Sequence, residues 1–289
     1  MPEIVFLLGD VTLARNDNHQ RLPAAFAEAG WSVTSSSHEQ LRLSAGTVCI
    51  GTRAAQSYDL VWPLGFGRMR TFFDRMQLLH RLDQRRLVVP ADAFIYLHAK
   101  YAWCELMPET HASSDYEVLR AVLDRGGDWV AKPTAGSYGR DVERIRADDR
   151  GETVLRRLTG GDEPCYCILQ RYVPEIERGE KRVLVAGGQL IGSYLRLPGA
   201  DFRTNLAIGG EPRPTRLSAA ERELAERVAA ELAALRIGFA AVDMAYPYLM
   251  EVNLANPGGL ATLESLYGVD PTPRAVAAIC AALESVRSL

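Results

Sequence analysis

Hydrophobic and polar positions along the chain change period several times, and each change predicts an element. IVFLL (4–8), closed by Gly9-Asp10, predicts a strand, and Leu22 to Ala29 predicts a helix that closes at Gly30. TVCI (47–50) and DLVWPL (59–64) are again strand-like, a helical stretch runs from Thr71 to about Leu82, and VVP (88–90) closes the section. Strand and helix patterns in alternation predict an open, parallel α/β layer. Ligands bind such sheets beyond the strand ends, which points to the polar loop Gly9–Gln20.

From about Ala93 the pattern changes. Helices are predicted over Ile95–Glu105, which carries Lys100, and over Tyr116–Asp124, which ends at Gly126-Gly127. WVAKP reads as a strand, and CYCILQRYV (165–173) as another. RVLVA and QLIGSYLRL flank Gly187-Gly188, a two-residue hairpin turn. Ser218 stands three residues before Glu221, the spacing of a capping box, and Leu224, Val228, Leu232 and Leu235 form an apolar stripe up to a stop at Gly238. AVDMA-YPY-LMEVN (241–253) predicts a second hairpin and Arg274–Val286 a last helix. No internal repeat or low-complexity tract is present, and only the surface turns near 160 and 199–215 qualify as linkers.

Composition narrows the classes. With 289 residues and 47% hydrophobic content, the chain can bury the core of two domains or of one domain built from lobes. The net charge of −3 supplies no basic field, so nucleic acid is not an expected partner. The N-terminus lacks a basic region ahead of its apolar run, and no apolar stretch is long enough to span a bilayer, so neither a signal peptide nor a membrane partner is expected. Five cysteines without a CxxC argue against a disulfide framework and for a reducing cytoplasm. Cys165 and Cys167 are expected to share a buried face, and nothing nearby completes a metal site with them. The five histidines form no HxH or HExxH and read as structural or exposed.

The chemistry concentrates in two places. In VAKPTAGSYG (130–139) a strand delivers Lys132 and then breaks into Gly136-Ser-Tyr-Gly139, which presents a cation and bare backbone N–H groups to an anion; the plainer alternative is a β-turn. In the second hairpin Glu251 and Asn253, two apart, point to one face, and a short turn brings Asp243 opposite them. Three oxygen ligands suit Mg²⁺ or Mn²⁺. The alternative is a solvated polar face, against which stand the apolar neighbours Val242, Met244, Leu249 and Val252. Lys100, Lys132, Lys181, Arg182, Arg196 and Arg203 add the cations that phosphoryl transfer needs. GxxxxGK[ST] is absent, no GxGxxG follows a strand, and AGSYG misses the nucleophile elbow by one glycine.

A lysine on a helix, a strand lysine before a Gly-rich loop, a strand ending QRYVP, a basic hairpin and Asp…Glu-x-Asn follow one another in an order that resembles the ATP-grasp superfamily. ILQRYVPEIERGEKRVLVAGGQLIGSYLRLPGADFRTNLAIGGEPRP (168–214) and AVDMAYPYLMEVNLANP (241–257) resemble bacterial glutathione synthetases, relatives of the glutamate ligases that modify ribosomal proteins. The resemblance covers about the last two-thirds of the chain, and the first ninety residues share only a pattern. It implies an α/β chain with an ATP-grasp fold, two α+β lobes gripping ATP behind an open α/β N-terminal domain. The implied divisions are 1–92 for substrate recognition, 93–169 for the central lobe with its lid loop, and 170–289 for the C-terminal lobe with the metal site.

Carried over residue by residue, the resemblance assigns Lys100 and Lys132 to the ATP phosphates, and Gly136, Ser137 and Gly139, interrupted by Tyr138, to the lid. Gln170, Arg171, Tyr172 and Val173 become the hinge whose backbone holds adenine, and Glu180 approaches the ribose. Asp243, Glu251 and Asn253 hold Mg²⁺ or Mn²⁺, two ions being expected, while Arg182, Arg203 and Asn205 face the γ-phosphate and an acyl phosphate. Two stretches depart from the family. After the metal-binding Asn it has a Thr-Ser-Pro-Thr-type run where this chain has Leu254-Ala-Asn-Pro-Gly-Gly-Leu260, and its Arg-Lys-Asp-Pro-Pro-type stretch is here Pro63-Leu-Gly-Phe-Gly-Arg68. Asn256, Gly258 and Gly259, with Asp10, Asn18 and Arg68, are the expected acid and amine contacts.

The resemblance implies an ATP-dependent carboxylate–amine ligase that releases ADP and phosphate, with small-molecule substrates, in a cytoplasmic homo-oligomer. Its acid is expected to differ from γ-glutamylcysteine. The rivals are a related ligase adding an amino acid to a peptide, cofactor or specialised metabolite, a phosphotransferase, and a nucleotide-binding regulator without turnover.

Overall fold

Successive residues of the first strand enter different cores. In β1 (Glu3–Leu8), Ile4 and Phe6 join one apolar cluster and Val5 and Leu7 another, all fully buried. A strand covered on both faces reads as an unbroken apolar run. The structure, a computed structural model, describes every residue except 15, 99, 135–140, 161–162, 200–202, 205, 207–208 and 288–289.

β1 leads through α1 (Asn18–Glu28) to β2 (Ser32–Ser37). Three short strands, β3 (Leu41–Ser44), β4 (Thr47–Ile50) and β5 (Arg53–Ala54), precede β6 (Leu60–Leu64) and α2 (Phe72–His80). The expected parallel layer is present in the order β2-β1-β6. Thr47–Ile50 is not part of it. Ala45 and Gly46, both with positive φ, turn the chain straight back, so β4 pairs antiparallel with β3 in a separate sheet. Leu87 adds only an isolated parallel bridge to Val61, so the stretch beside it is no strand.

The helix expected around Lys100 does not form. A single wide turn over Ala93–Leu97 ends where the Trp103 indole N–H takes the Leu97 carbonyl at 3.1 Å, an acceptor that a continuing helix would need. Next come β7 (Thr110–Ser113), α3 (Tyr116–Leu123), β8 (Trp129–Pro133), β9 (Glu143–Ile145), α4 (Asp149–Leu158) and β10 (Cys167–Arg171). They form an antiparallel sheet ordered β7-β10-β8-β9 over a core of its own, including Leu119, Trp129, Leu155 and Leu169. Cys167 lies in that core, but Cys165 precedes the strand and is exposed, so the two share no face.

The rest of the chain comprises β11 (Glu180–Ala186), β12 (Gln189–Leu197), β13 (Glu211–Pro214), α5 (Ala219–Ala234), β14 (Phe239–Ala245), β15 (Tyr248–Asn253), α6 (Leu260–Tyr267) and α7 (Thr272–Arg287). The sheet order is β13-β12-β11-β14-β15. The Ser218–Glu221 capping box forms in both directions at the start of α5. Gly238 does not stop that helix: the chain turns at Arg236 (φ 57°), and Gly238 instead donates its N–H to the Val88 carbonyl at 2.7 Å.

That contact joins the two halves. Val183, Val185, Val242 and Met244 enter the cluster of Val5 and Leu7, which α5 covers with Val228 and Leu232. Leu184, Ala186, Phe239 and Ala241 enter the cluster of Ile4 and Phe6, covered by Leu22 and Phe26 of α1 and by Val276 and Ile279 of α7. Trp62 stacks on Phe6 at 5.4 Å and meets Phe239 edge-on at 5.9 Å. The first and last parts of the chain therefore share two cores, while the middle lobe has its own. No helix among the described residues is long and apolar enough to cross a membrane.

A methyl group on Gly238 would sit 2.8 Å from the Val88 carbonyl oxygen. Gly238→Ala is expected to destabilise the protein by about 1–3 kcal/mol, as overpacking against rigid backbone does. The check is the midpoint of urea unfolding; an unchanged midpoint would mean that the junction yields freely.

Candidate active site

Alternation along four neighbouring strands puts a polar row on one face of the C-terminal sheet. Arg182 on β11 stands directly opposite Asp243 on β14, Asp243 opposite Glu251 on β15, and Glu180 opposite Arg196 on β12. These residues continue the face that carries Leu184 and Ala241, beyond the edge of the apolar cluster. Arg182 grips Asp243 through Nε–Oδ1 (2.7 Å) and Nη2–Oδ2 (2.6 Å), Arg196 adds Nη2–Oδ2 (2.8 Å), and Asn253 donates Nδ2 to Oδ2 (3.1 Å). Glu180 is buried and accepts from Arg196 and from Thr204.

The middle lobe faces this row. On β8 and β10, Trp129, Ala131 and Leu169 turn into the lobe's core, so Lys132 and Gln170 turn outward from it. Lys132 Nζ donates to Gln170 Oε1 (2.9 Å), and Gln170 Nε2 donates to Thr110 Oγ1 (2.8 Å). Lys100 reaches across from its turn to Glu251, Nζ–Oε1 3.6 Å. His98 Nδ1 accepts from the Leu254 N–H at 3.4 Å, and its ring meets Phe66 edge-on at 4.7 Å.

Loops at the ends of β1 and β6 close the third side. Gly65 donates its N–H to the Ala255 carbonyl at 2.7 Å. Asn18 donates Nδ2 to Asn256 Oδ1 (2.8 Å) and to the Pro257 carbonyl (3.0 Å), and Arg182 Nη1 reaches the Gly258 carbonyl (3.3 Å). Together the three sides enclose a cavity of about 1200 Å³.

Most of the expected site residues meet in this cavity. Lys100, Lys132, Gln170, Arg171, Tyr172, Val173, Glu180, Arg182, Arg203, Glu251, Asn253, Asn256, Gly258, Gly259, Asp10 and Arg68 all line it. Asp243 does not. It lies fully buried beneath the wall with its carboxylate held by two guanidiniums, so it supports the site from behind. Asn18 is also fully buried and ties two loops together, which corrects its expected role as a substrate contact. Lys181 points to the opposite face, where it pairs with Glu221 at 2.7 Å. The N–H groups of Arg171 and Tyr172 are taken by the Glu109 and Asp128 carbonyls. Of the expected hinge, only Val173 keeps its N–H without a partner among the described residues. Gly136, Ser137, Gly139 and Asn205 lie outside the described residues.

Sequence reasoning missed His98 and Thr204, and it gave Arg196 no particular role. Arg196 could have been found from the hairpin register, which sets it opposite Glu180. His98 stands two residues from Lys100, a signal that the expected helix obscured. Thr204 had no local signal.

Electrostatics follow from burial. Burial raises the Asp243 carboxyl, but Arg182 and Arg196 more than offset it and hold it below the usual range. Burial opposes the charge of Arg182, and Asp243 overcomes that and raises its pKa. Glu180 is pushed up by burial, against the pull of Arg196. Burial, with Lys100 nearby, brings Lys132 down to about 8. Among the described residues no group of three or more His, Cys, Asp or Glu side chains is arranged to hold a metal.

Two α+β lobes that face each other across lysines on one side and carboxylates on the other define an ATP-grasp protein. The fold agrees over nearly the whole chain with a D-cycloserine synthetase (TM-score 0.72, 18% identity, 97% of this chain and 99% of that one). It also agrees with a macrocyclase bound to its precursor peptide, from Microcystis aeruginosa (TM-score 0.66, 15% identity, 96% and 99%). Residues 97–268 match the family described as prokaryotic glutathione synthetase, ATP-grasp domain, and the chain belongs to that family. Curated glutathione synthetases are similar to it: that of Agrobacterium fabrum is 30% identical over 198 residues, 67% of this chain and 62% of that enzyme. That of Synechocystis sp. is 34% identical over 167 residues, 57% and 52%. The chain thus spans between half and two-thirds of the length of these relatives.

Lys132 supplies a test that needs no substrate beyond nucleotide. A lysine with a pKa near 8 is charged below that pH and loses its charge as pH rises through it. ATP affinity should therefore fall between pH 7 and 9, and Lys132→Met should bind more weakly, by roughly tenfold or more, with a flatter profile. Isothermal titration calorimetry across that range checks both; a wild-type profile in the variant would remove Lys132 from the phosphate site.

Proposed function

We propose that the protein is an ATP-dependent carboxylate–amine ligase. The observation that carries this reading is the meeting, in one cavity, of Lys100 and Lys132 from one side with Glu251, Asn253 and Arg182 from the other, beside the loops that end β1 and β6. Lysines and a fixed arginine suit polyphosphate, and the loops leave room for an acid and an amine. The acid's carboxylate oxygen attacks the γ-phosphorus and ADP leaves. The amine nitrogen then attacks the acyl carbon, phosphate departs with that oxygen, and the amine proton passes to solvent or phosphate. No step needs an enzyme nucleophile; orientation and charge stabilisation carry the rate.

Oxygen donors suit Mg²⁺ or Mn²⁺. Glu251 and Asn253, which face the cavity, are the residues that would hold an ion, and the ion would neutralise phosphate charge. Asp243 reaches a cation only by releasing Arg182, so these side chains support one ion, with a second tied to that release. Arg182, held by Asp243, and Arg203, on the cavity wall, are the cations for the transferred phosphoryl group.

The substrates of this reading are small molecules other than γ-glutamylcysteine and glycine. Asp10, Arg68 and the loops that carry them fall outside the family match, and the rim exposes Val11 (45%) and Leu13 (75%), which favours an acid or amine with an apolar part. A D-cycloserine synthetase and a precursor-peptide macrocyclase share the fold, which supports reading this cavity as one fitted to other partners. Unpaired cysteines fit a reducing compartment.

Acid labelled with ¹⁸O in its carboxylate should deliver label to inorganic phosphate during turnover. Phosphate release without ¹⁸O would replace the ligase with a simple ATPase, and a stable phosphorylated product would make the protein a phosphotransferase. Glu251→Gln should lose roughly two orders of magnitude or more in kcat while remaining folded by circular dichroism; near-normal kcat at saturating Mg²⁺ would remove it as a metal ligand. γ-Glutamylcysteine with glycine should give a kcat/KM below about 10⁴ M⁻¹s⁻¹, and a higher value would make these loops a variant glutathione site.

A further inference from the structure

Arg75 is a cation with 3% of its surface exposed, and no carboxylate is among its hydrogen-bond partners. From α2 its Nη2 donates to the carbonyls of Phe66 (2.8 Å) and Arg68 (2.5 Å), and its Nε to Thr71 Oγ1 (3.2 Å). Nη1 is buried and has no partner among the described residues. The acids that act on it through space, Glu39 and Asp74, are exposed. A guanidinium stays charged in a protein, and burying one without a counter-charge is costly. Packing alone does not account for it.

The loop it holds explains the charge. In a trans peptide the carbonyl and the next N–H point in opposite directions. With the Phe66 and Arg68 carbonyls drawn onto Arg75, the N–H groups of Gly67 and Met69 turn away from it. Neither N–H, nor those of Phe66 and Arg68, donates to any group among the described residues. Gly67 lines the cavity beside Gly9, where a Cβ on Gly9 would lie in ordinary contact, 3.7 Å from the Gly67 Cα. Gly67 itself has φ +61°, and a Cβ there would fall 2.4 Å from Arg75 Nη1, so only glycine lets the loop rest on the guanidinium. On the other flank His38 Nε2 faces the Leu64 carbonyl at 3.4 Å; burial pushes this imidazole down to about 4, so it adds no charge at neutral pH.

We propose that Phe66–Met69 is a carboxylate-binding element of the substrate cavity, and that Arg75 is the positioning residue that orients its N–H groups and supplies positive potential from behind. The ligand class is a carboxylate of the acid or amine substrate, an assignment that rests on the ligase reading. The anion site itself does not.

The full chain, labelled with ¹⁵N, is titrated with acetate and separately with acetamide, and the amide signals of 65–69 are followed. Acetate should shift the Gly67 and Met69 amides saturably, and acetamide should not. Arg75→Gln should weaken acetate binding about tenfold or more and leave MgADP affinity, measured by calorimetry, unchanged. Arg75→Lys should restore part of the acetate affinity. If Arg75→Gln does not fold, Gly67→Ala, whose methyl would displace Nη1, should produce the same selective loss. The proposal is overturned if acetate moves no amide of 65–69 more than acetamide does, or if acetate affinity survives Arg75→Gln or Gly67→Ala unchanged. Acetate binding without ¹⁸O transfer would sink the ligase reading and keep the anion site.

Discussion

The ion pair between Arg182 and Asp243 holds the rest of the site in place. Both side chains lie almost wholly out of water, on adjacent strands and directly opposite one another. A bidentate guanidinium–carboxylate contact fixes angle as well as distance. Removing one partner from a buried pair costs roughly 3–5 kcal/mol, because the other is left charged and unsolvated. Through Asp243 the pair recruits Arg196 and Asn253, through Arg196 it reaches Glu180, and through Arg182 it touches the Gly258 carbonyl. One contact thereby sets the relative positions of two guanidiniums, Asn253 and the loop at Gly258.

The two shared cores put that pair where three parts of the chain can meet. The parallel sheet of β1, β2 and β6 and the five-stranded sheet send alternate residues into the same two clusters, so their ends lie side by side. The loops after β1 and β6 then open beside β15 and the segment that follows it. The middle lobe, with its separate core, contributes Lys132 and Gln170 from across the cleft.

Much of the site was legible in the sequence because its chemistry is local. Glu251 and Asn253 lie two apart on a strand, and Lys132 stands at a strand end; both facts need only period-two alternation and turn residues. The capping box and the Gly187-Gly188 turn were readable for the same reason. The Lys100 segment was misread, since an apolar stretch with helical composition gives no sign that Trp103 will claim the Leu97 carbonyl. Cys165 was misread because alternation says nothing about where a strand begins. Asn18 looked like a substrate contact in a polar loop until the fold buried it against Asn256, more than two hundred residues away.

What the sequence by itself determined is the set of apolar strands, their alternating faces and the residue types that can meet phosphate and metal, since these follow from backbone period and side-chain chemistry; the polar and short strands, β2, β3, β5, β7, β9 and β13, it did not show. Tertiary structure alone decided which of those groups face the cavity and which stand behind it. Asp243 and Glu251 look alike in the sequence, yet one is neutralised under the wall and the other is open to the cleft. Arg75, silent in any local pattern, became a charge behind a glycine loop. Burial and partnership depend on elements far apart in the chain, and no local pattern records who those neighbours will be.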